Sequence, residues 1–400
     1  MWKMVRHQGR ARQAKHVLVL ACLAYACADS GAGPGAIPLV LDPSSTLIVG
    51  VGSSSTLTAR TAAGDLIDPA TVTWSSDVPE VVAVDDRGLV TAQGGGAARI
   101  TAIWSGSNAS ALIEVWIPVE VDPSADGTSF FGRNGYIEYI PGTLPFILSA
   151  PHGGTLTPAE IPDRVFGVTG ADRNTALLAE QIRDALVARM GAAPHIIISR
   201  LARIKLDPNR EIVEAAQGSP FAENGWSEFH GFVERARQWV EEEAGSGLYI
   251  DLHGHGHEIS RVELGYLIGG SDLSLSDVAL NDGDFASRSS VRALVQSTGL
   301  NFSELLRGPT SFGALLATEE VASVPSPAAP SPGGAPYFAG GFNTRRYGSR
   351  DRGTVSGVQF ELQFPGIRDT EGNRALFSRR FARVIEAFIA EHYGPLRPGA

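Results

Sequence analysis

The apolar residues of this chain change their period near Pro118, and that change limits it to two unlike folded regions. Between Ile37 and Pro118 short runs alternate apolar and polar residues. Examples are Thr46-Leu47-Ile48-Val49, Val81-Val82-Ala83-Val84 and Arg99-Ile100-Thr101-Ala102-Ile103-Trp104, with Ser, Gly, Asp and Pro between them. Period two, broken by turn residues at short intervals, predicts an all-β sandwich. Beyond Asp122 strand-like runs at 136–140, 146–150, 195–199, 248–252 and 358–362 alternate with helical stretches at 174–190, 221–243 and 375–392. In the first helix Leu177, Leu178, Ile182, Leu186 and Val187 recur at helical spacing, and Gly191 is a stop signal. This alternation predicts an α/β domain: a mixed, mostly parallel sheet with helices on both faces. A chain of 400 residues suits two such domains.

Neither region includes the N-terminus. Lys3, Arg6, Arg10, Arg12 and Lys15 form a basic stretch, and Val17 to Ala26 is an apolar run too short to span a bilayer. Ala24-Tyr25-Ala26 then reads as a small-residue cleavage site, so residues 1–27 read as a bacterial secretory signal and 28–37 as a Gly/Ala/Ser linker. The two cysteines, Cys22 and Cys27, lie in or beside this segment. Cys27 therefore reads equally as a lipidated first residue of a cell-envelope lipoprotein or as part of a plain secretory cleavage site. The mature chain has no disulfide framework, no thiolate metal site and no transmembrane helix. A net charge of −10 argues against a nucleic-acid partner, because phosphate neutralisation needs a basic surface. Residues 321–336, rich in Pro, Ala and Ser, read as a flexible surface insertion.

The β-region carries a resemblance. Trp74-Ser75-Ser76-Asp77, Val82-Ala83-Val84-Asp85, Gly88-Leu89-Val90-Thr91-Ala92 and the stretch from Gly96 to Ala102 are similar in order and spacing to a bacterial immunoglobulin-like domain of the group 2 type. This places the domain at 38–118. Trp74 is expected to plug the core, and Gly88 to make a tight turn that sends Leu89 and Val90 inward. A spacer and an adhesive module are both open as its role, and it holds no cluster of titratable groups.

Chemistry-bearing residues of the second region follow its strands, where open α/β sheets hold their ligands. They are Ser149-Ala150-Pro151-His152-Gly153-Gly154, Leu206-Asp207-Pro208-Asn209-Arg210, Asp251-Leu252-His253-Gly254-His255-Gly256-His257 and Phe360-Glu361-Leu362-Gln363-Phe364-Pro365-Gly366. Two histidines and a carboxylate at strand ends satisfy what a catalytic zinc asks for, three N/O ligands and an open position. Together with Ser199-Arg200 and Gly340-Gly341-Phe342-Asn343-Thr344-Arg345-Arg346-Tyr347-Gly348, these motifs resemble the N-formylglutamate amidohydrolase family over residues 125–395, and the zinc carboxypeptidases more distantly. The resemblance implies an amide hydrolase with Zn2+ held by His152 and His253, Glu361 as general base, and Asn209-Arg210 gripping a substrate carboxylate. Arg200, Arg203, Arg345 and Arg346 are further candidates for that grip or for oxyanion stabilisation. The chain departs from the carboxypeptidase pattern at Thr155, where a third ligand, Glu, is expected. Asp172, at the start of a helix, is the preferred replacement and Glu160 the alternative. His255 and His257 share the face of His253 if the segment is extended. The expected substrate is a small N-acyl amino acid or a peptide cut near a free carboxylate. The alternative function is a catalytically inactive cell-surface binding or adhesion protein.

Overall fold

The computed structural model describes residues 37–394. The signal segment, Cys27 and all but the last residue of the linker lie outside the described residues. No helix among the described residues is long and apolar enough to cross a membrane.

The first region is a sandwich. One sheet orders strands Ser45–Val49, Ser107–Trp116, Gly96–Trp104 and Thr73–Ser76; the other orders Ser54–Thr56, Leu89–Ala92 and Val82–Val84. Strands Leu39–Asp42 and Thr58–Thr61 pair separately. Alternate residues, among them Val82, Val90, Ala92, Ile100, Ala102, Ile113 and Val115, fill the interior. Gly88 has φ +80°, and a Cβ there would fall 2.6 Å from the Leu57 carbonyl and 2.8 Å from the Trp74 ring, so only glycine fits. Trp74, half-buried, packs against the sandwich core and meets this turn of the facing sheet. One expectation is corrected. Leu89 is 39% exposed while Val90 is fully buried, because neighbours on a strand face opposite sides.

The second region is built on eight strands: β1 (Phe130–Phe131), β2 (Ile137–Ile140), β3 (Phe146–Ala150), β4 (His195–Ser199), β5 (Gly247–His255), β6 (Val262–Gly265), β7 (Ser323–Val324) and β8 (Val355–Gln363). Their order across the sheet is β1-β2-β4-β3-β5-β8-β6-β7. The central neighbours β4, β3, β5 and β8 are parallel, while β1/β2, β2/β4 and β8/β6 are antiparallel. The main helices are α1 (Thr175–Met190), α2 (Pro220–Ala244), α3 (Phe342–Tyr347) and α4 (Glu371–His392). α2 starts with Ser219 accepting from the Ala222 N–H and Pro at the first helical position.

The two sheet faces bury different layers. Leu148, Ile198, Ile250, Leu252, Phe360 and Leu362 pack under Leu178, Ile182 and Leu186 of α1 and Phe381, Ile385 and Phe388 of α4. Ile147, Ile197, Tyr249 and Val355 pack under Phe229, Phe232, Val233 and Val240 of α2. On this second face the strands turn polar toward their carboxyl ends, where Tyr249 is followed at period two by Asp251, His253 and His255. The register sets Ser149, Asp251 and Gln359 in one row, and His253, Glu361 and Glu263 in the next. The sandwich meets this domain through an ion pair of Glu114 with Arg133, whose guanidinium also lies 4.6 Å from the centre of the Phe221 ring.

The stretch 321–336 is not a flexible insertion over its first part. Ser323–Val324 is the edge strand β7, and Pro325 and Ser326 are buried against Gly313, whose backbone comes close because it has no side chain. Low apolar content hid a strand whose pairing is supplied by a neighbour distant in sequence.

Candidate metal centre and its cleft

His152 follows β3, Asp172 ends the long loop before α1, and His253 lies near the end of β5. The structure brings them together. His152 Nδ1, His253 Nδ1 and Asp172 Oδ2 are each 3.1 Å from the other two, and all three residues are buried. Three donors so spaced share a point about 2 Å from each, the length of Zn–N and Zn–O bonds. The outer nitrogens are committed elsewhere. His152 Nε2 donates to Asp207 Oδ1 at 2.6 Å and His253 Nε2 to Asp251 Oδ2 at 2.7 Å. Each imidazole thereby turns its Nδ1 toward the other and toward a carboxylate oxygen. Two ring nitrogens and a carboxylate oxygen this close together in a buried site favour a positive charge, proton or metal ion, among them. Imidazoles held from behind by carboxylates are also the usual outer arrangement of metal-binding histidines.

The supporting carboxylates are themselves held. Asp207 accepts from Arg203 Nε at 2.9 Å and from the Asn209 N–H at 3.0 Å. Asp251, fully buried, accepts from the Ser149 hydroxyl at 2.5 Å and the Tyr249 hydroxyl at 3.1 Å. Burial alone would raise the carboxyls of Asp172, Asp207 and Asp251. The histidines beside them outweigh it and keep all three below the usual carboxylate range. Burial works against the charged form of His253, yet Asp251 and Asp172 push that residue well toward it. The protein thus attracts a positive charge to the place the three donors share.

Glu361 is the direct parallel neighbour of His253 on β8. One of its oxygens accepts from Gln359 Nε2 at 2.9 Å; the other, Oε2, is buried with no hydrogen-bond partner among the described residues. Burial pushes its pKa up to about 7, against the pull of His253. A carboxylate with one free oxygen and a pKa near neutrality suits a group that accepts a proton and gives it back.

Asn209 spans the centre and a cleft of about 820 Å³. Its carbonyl accepts from the Asn343 N–H at 2.8 Å and its amide nitrogen lies 3.3 Å from His253 Nε2. A Cβ at Gly341 would fall 2.8 Å from that amide, so glycine lets α3 approach. Arg210, Arg345 and Arg346 line the cleft. Arg210 is tied to Glu214 at 3.2 Å. Arg345 is exposed, and Arg346 lies 5.5–5.8 Å from the ring centres of Trp226, Phe342 and Tyr347. Arg200 is not in the cleft. It pairs with Glu138 and with Glu180 of α1, on the opposite face of the sheet, which removes it from the substrate-binding set. Arg203 braces Asp207 and Asp172 from behind. Glu160, the alternative third ligand, is held by Tyr136 and Arg133, away from the histidines.

His255, His257 and Glu263 form a second group of metal-ligand types. Here His255 Nε2 donates to the Arg261 carbonyl at 2.8 Å and its Nδ1 accepts from the His257 N–H at 3.1 Å, so both nitrogens are taken. His257 Nδ1 lies 2.9 Å from Glu263 Oε1.

The sequence reading gave no role to Asp207, Ser149 or Tyr249. Asp207 had a signal, its place two residues before Asn209 in the same motif. Ser149 stands in the first motif and Tyr249 precedes Asp251 at strand period, but it takes the register of β3 with β5 to bring Ser149 to Asp251.

Residues 40–114 match the sequence profile of the bacterial Ig-like domain (group 2). None of the curated proteins matches the chain. Among solved structures it is similar to the N-formylglutamate amidohydrolase of Ralstonia eutropha JMP134, with 13% identity and a TM-score of 0.37, covering 62% of this chain and 93% of that one. A gene product of Agrobacterium tumefaciens gives 12% and 0.41, over 65% of this chain and 97% of that one. The apo N-acetylmuramyl-L-alanine amidase of Mycobacterium abscessus gives 10% and 0.25, over 61% and 98%.

Proposed function

We propose that the second domain is a zinc-dependent amidohydrolase that cleaves an amide or peptide bond near a free carboxylate. The observation that carries this reading is the set of three donors, His152 Nδ1, His253 Nδ1 and Asp172 Oδ2, equidistant at 3.1 Å and supported from behind by Asp207 and Asp251. Their chemistry, two nitrogens and one carboxylate oxygen, fits a catalytic zinc, which takes three protein ligands and a water. Bound there, Zn2+ supplies a Lewis acid that brings the pKa of water toward neutrality.

The remaining work falls to the chain. Glu361 takes a proton from the attacking water through its free Oε2 and returns it to the leaving amine. Asn209 keeps the cleft wall against His253, and Arg345 with Arg346 holds a substrate carboxylate in the cleft, where an arginine fork recognises it by two bonds. Arg210, neutralised by Glu214, shapes that wall. The absence of a ligand at Thr155 speaks for an inactive binder; the convergence of Asp172 with both histidines supports an enzyme instead. The basic and apolar N-terminal segment supports export, with lipidation at Cys27 as one form of it. Hydrolysis assays on N-acyl amino acids and short peptides, with metal analysis of the same preparation, test the proposal. One zinc per chain with turnover supports it; stoichiometric zinc with no turnover of any amide contradicts the enzymatic part.

A further inference from the structure

The third donor reaches the centre from an unusual place. Asp172 ends a long loop that starts at Gly153 and carries no helix or extended strand, so something outside the loop must fix it. The Asp172 N–H donates to the His152 carbonyl at 3.1 Å, and its carboxylate accepts from the Gly254 N–H at 3.2 Å and lies 3.7 Å from Arg203, but none of these contacts reaches the chain that follows Asp172.

Directly behind Gly254 lies Arg368, only 3% exposed. A Cβ on Gly254 would fall 2.2 Å from the Arg368 guanidinium carbon, so the two groups are in close apposition. The guanidinium has no carboxylate within ion-pairing distance among the described residues. Its donors go to three carbonyls from three segments. Nε donates to Leu362 at the end of β8 (3.1 Å), Nη2 to His255 at the end of β5 (3.4 Å), and Nη1 to Arg173, next to Asp172 (2.6 Å). The contact is reciprocal, since the Asn174 side-chain amide donates to the Arg368 carbonyl at 2.7 Å. Asn174 holds a left-handed backbone, φ +69°, at the turn into α1. Burying a guanidinium against carbonyls alone is costly, and it persists where the geometry it fixes is needed.

We propose that Arg368, clasped with Asn174, is a positioning residue that helps hold Asp172 at the metal centre. It ties the Asp172 loop to the strand ends that carry His253 and Glu361. The proposal rests on the ligand-set reading above but not on turnover. It also accounts for the departure at Thr155: a ligand delivered by a distant loop needs an anchor that one three residues from His152 would not.

The test measures Zn2+ affinity by chelator competition, with no substrate present. Arg368→Met is expected to lower affinity about 10- to 100-fold, as loss of outer supports usually does. Arg368→Lys should recover part of the loss, and the milder Asn174→Ala should give a smaller one. In an Asp172→Ala background, Arg368→Met should add less than about threefold, because its partner in function is already gone. Wild-type affinity in folded Arg368→Met overturns the proposal, and so do losses that multiply in the double variant. Should wild-type protein bind no divalent cation, the ligand-set reading fails on its own. Hydrogen exchange of the metal-free protein then judges the clasp. Faster exchange across residues 170–176 in Arg368→Met or Asn174→Ala supports it, and unchanged exchange in both overturns it.

Discussion

Two groups of two histidines and one carboxylate stand at the carboxyl ends of one sheet, and composition alone does not tell them apart. In the first, His152 Nδ1, Asp172 Oδ2 and His253 Nδ1 converge on one another, and Asp207 and Asp251 take the outer nitrogens. In the second, the backbone takes both nitrogens of His255, leaving His257 and Glu263 to bond each other. The difference lies in where each ring nitrogen spends its hydrogen bond. Donor atoms that converge on one point mark a candidate metal centre, and donors spent on backbone partners mark a satisfied cluster.

The largest expected effects break this comparison outright. Removing one of three ligands in His152→Ala or His253→Ala forfeits roughly a third of the ~10–16 kcal/mol typical of structural zinc binding, about a thousandfold in affinity. His257→Ala should leave zinc content unchanged. Next, Glu361→Gln should lower kcat by about 10²–10⁴ while the protein keeps its metal, since it removes a base and not a ligand. Asp251→Asn should weaken zinc about 10- to 100-fold, measured by chelator competition, because the His253 support is lost. Arg345→Gln should raise KM about 10- to 100-fold for substrates with a free carboxylate, whereas Arg200→Gln should change KM less than about twofold.

The pH profile sharpens the same contrast. The base acts only when ionised, so kcat/KM should fall as pH drops through the pKa of Glu361. Burial pushes that value up to about 7, and a divalent cation nearby favours the carboxylate and moves the limb lower. The acid limb should therefore lie at or below about 7, vanish in Glu361→Gln, and survive in His257→Ala.

Periodicity made the scaffold legible because faces follow from local sequence. The polar switch from Tyr249 to Asp251 and His253 on one face of β5 is visible in the sequence itself. What periodicity could not reach is set by contacts between distant segments. Arg200 reads like any arginine after a strand, and only the register of β2 with β4 shows that Glu138 and α1 claim it. Edge strand β7 hides in a Pro/Ala/Ser stretch because its partner β6 supplies the pairing. The helix-start position of Asp172 is local and legible, while the clasp beside it involves Arg368, nearly two hundred residues away. Leu89 shows the opposite error, where a local rule, alternation, was set aside for a motif.

The zinc content of the purified protein, compared among wild type, His253→Ala and His257→Ala, decides which histidine group holds the cation. One zinc per chain in the wild type and in His257→Ala, and none in His253→Ala, is the expected result. Zinc that stays in His253→Ala, or leaves with His257→Ala, would place the cation at the other histidine group and contradict the account.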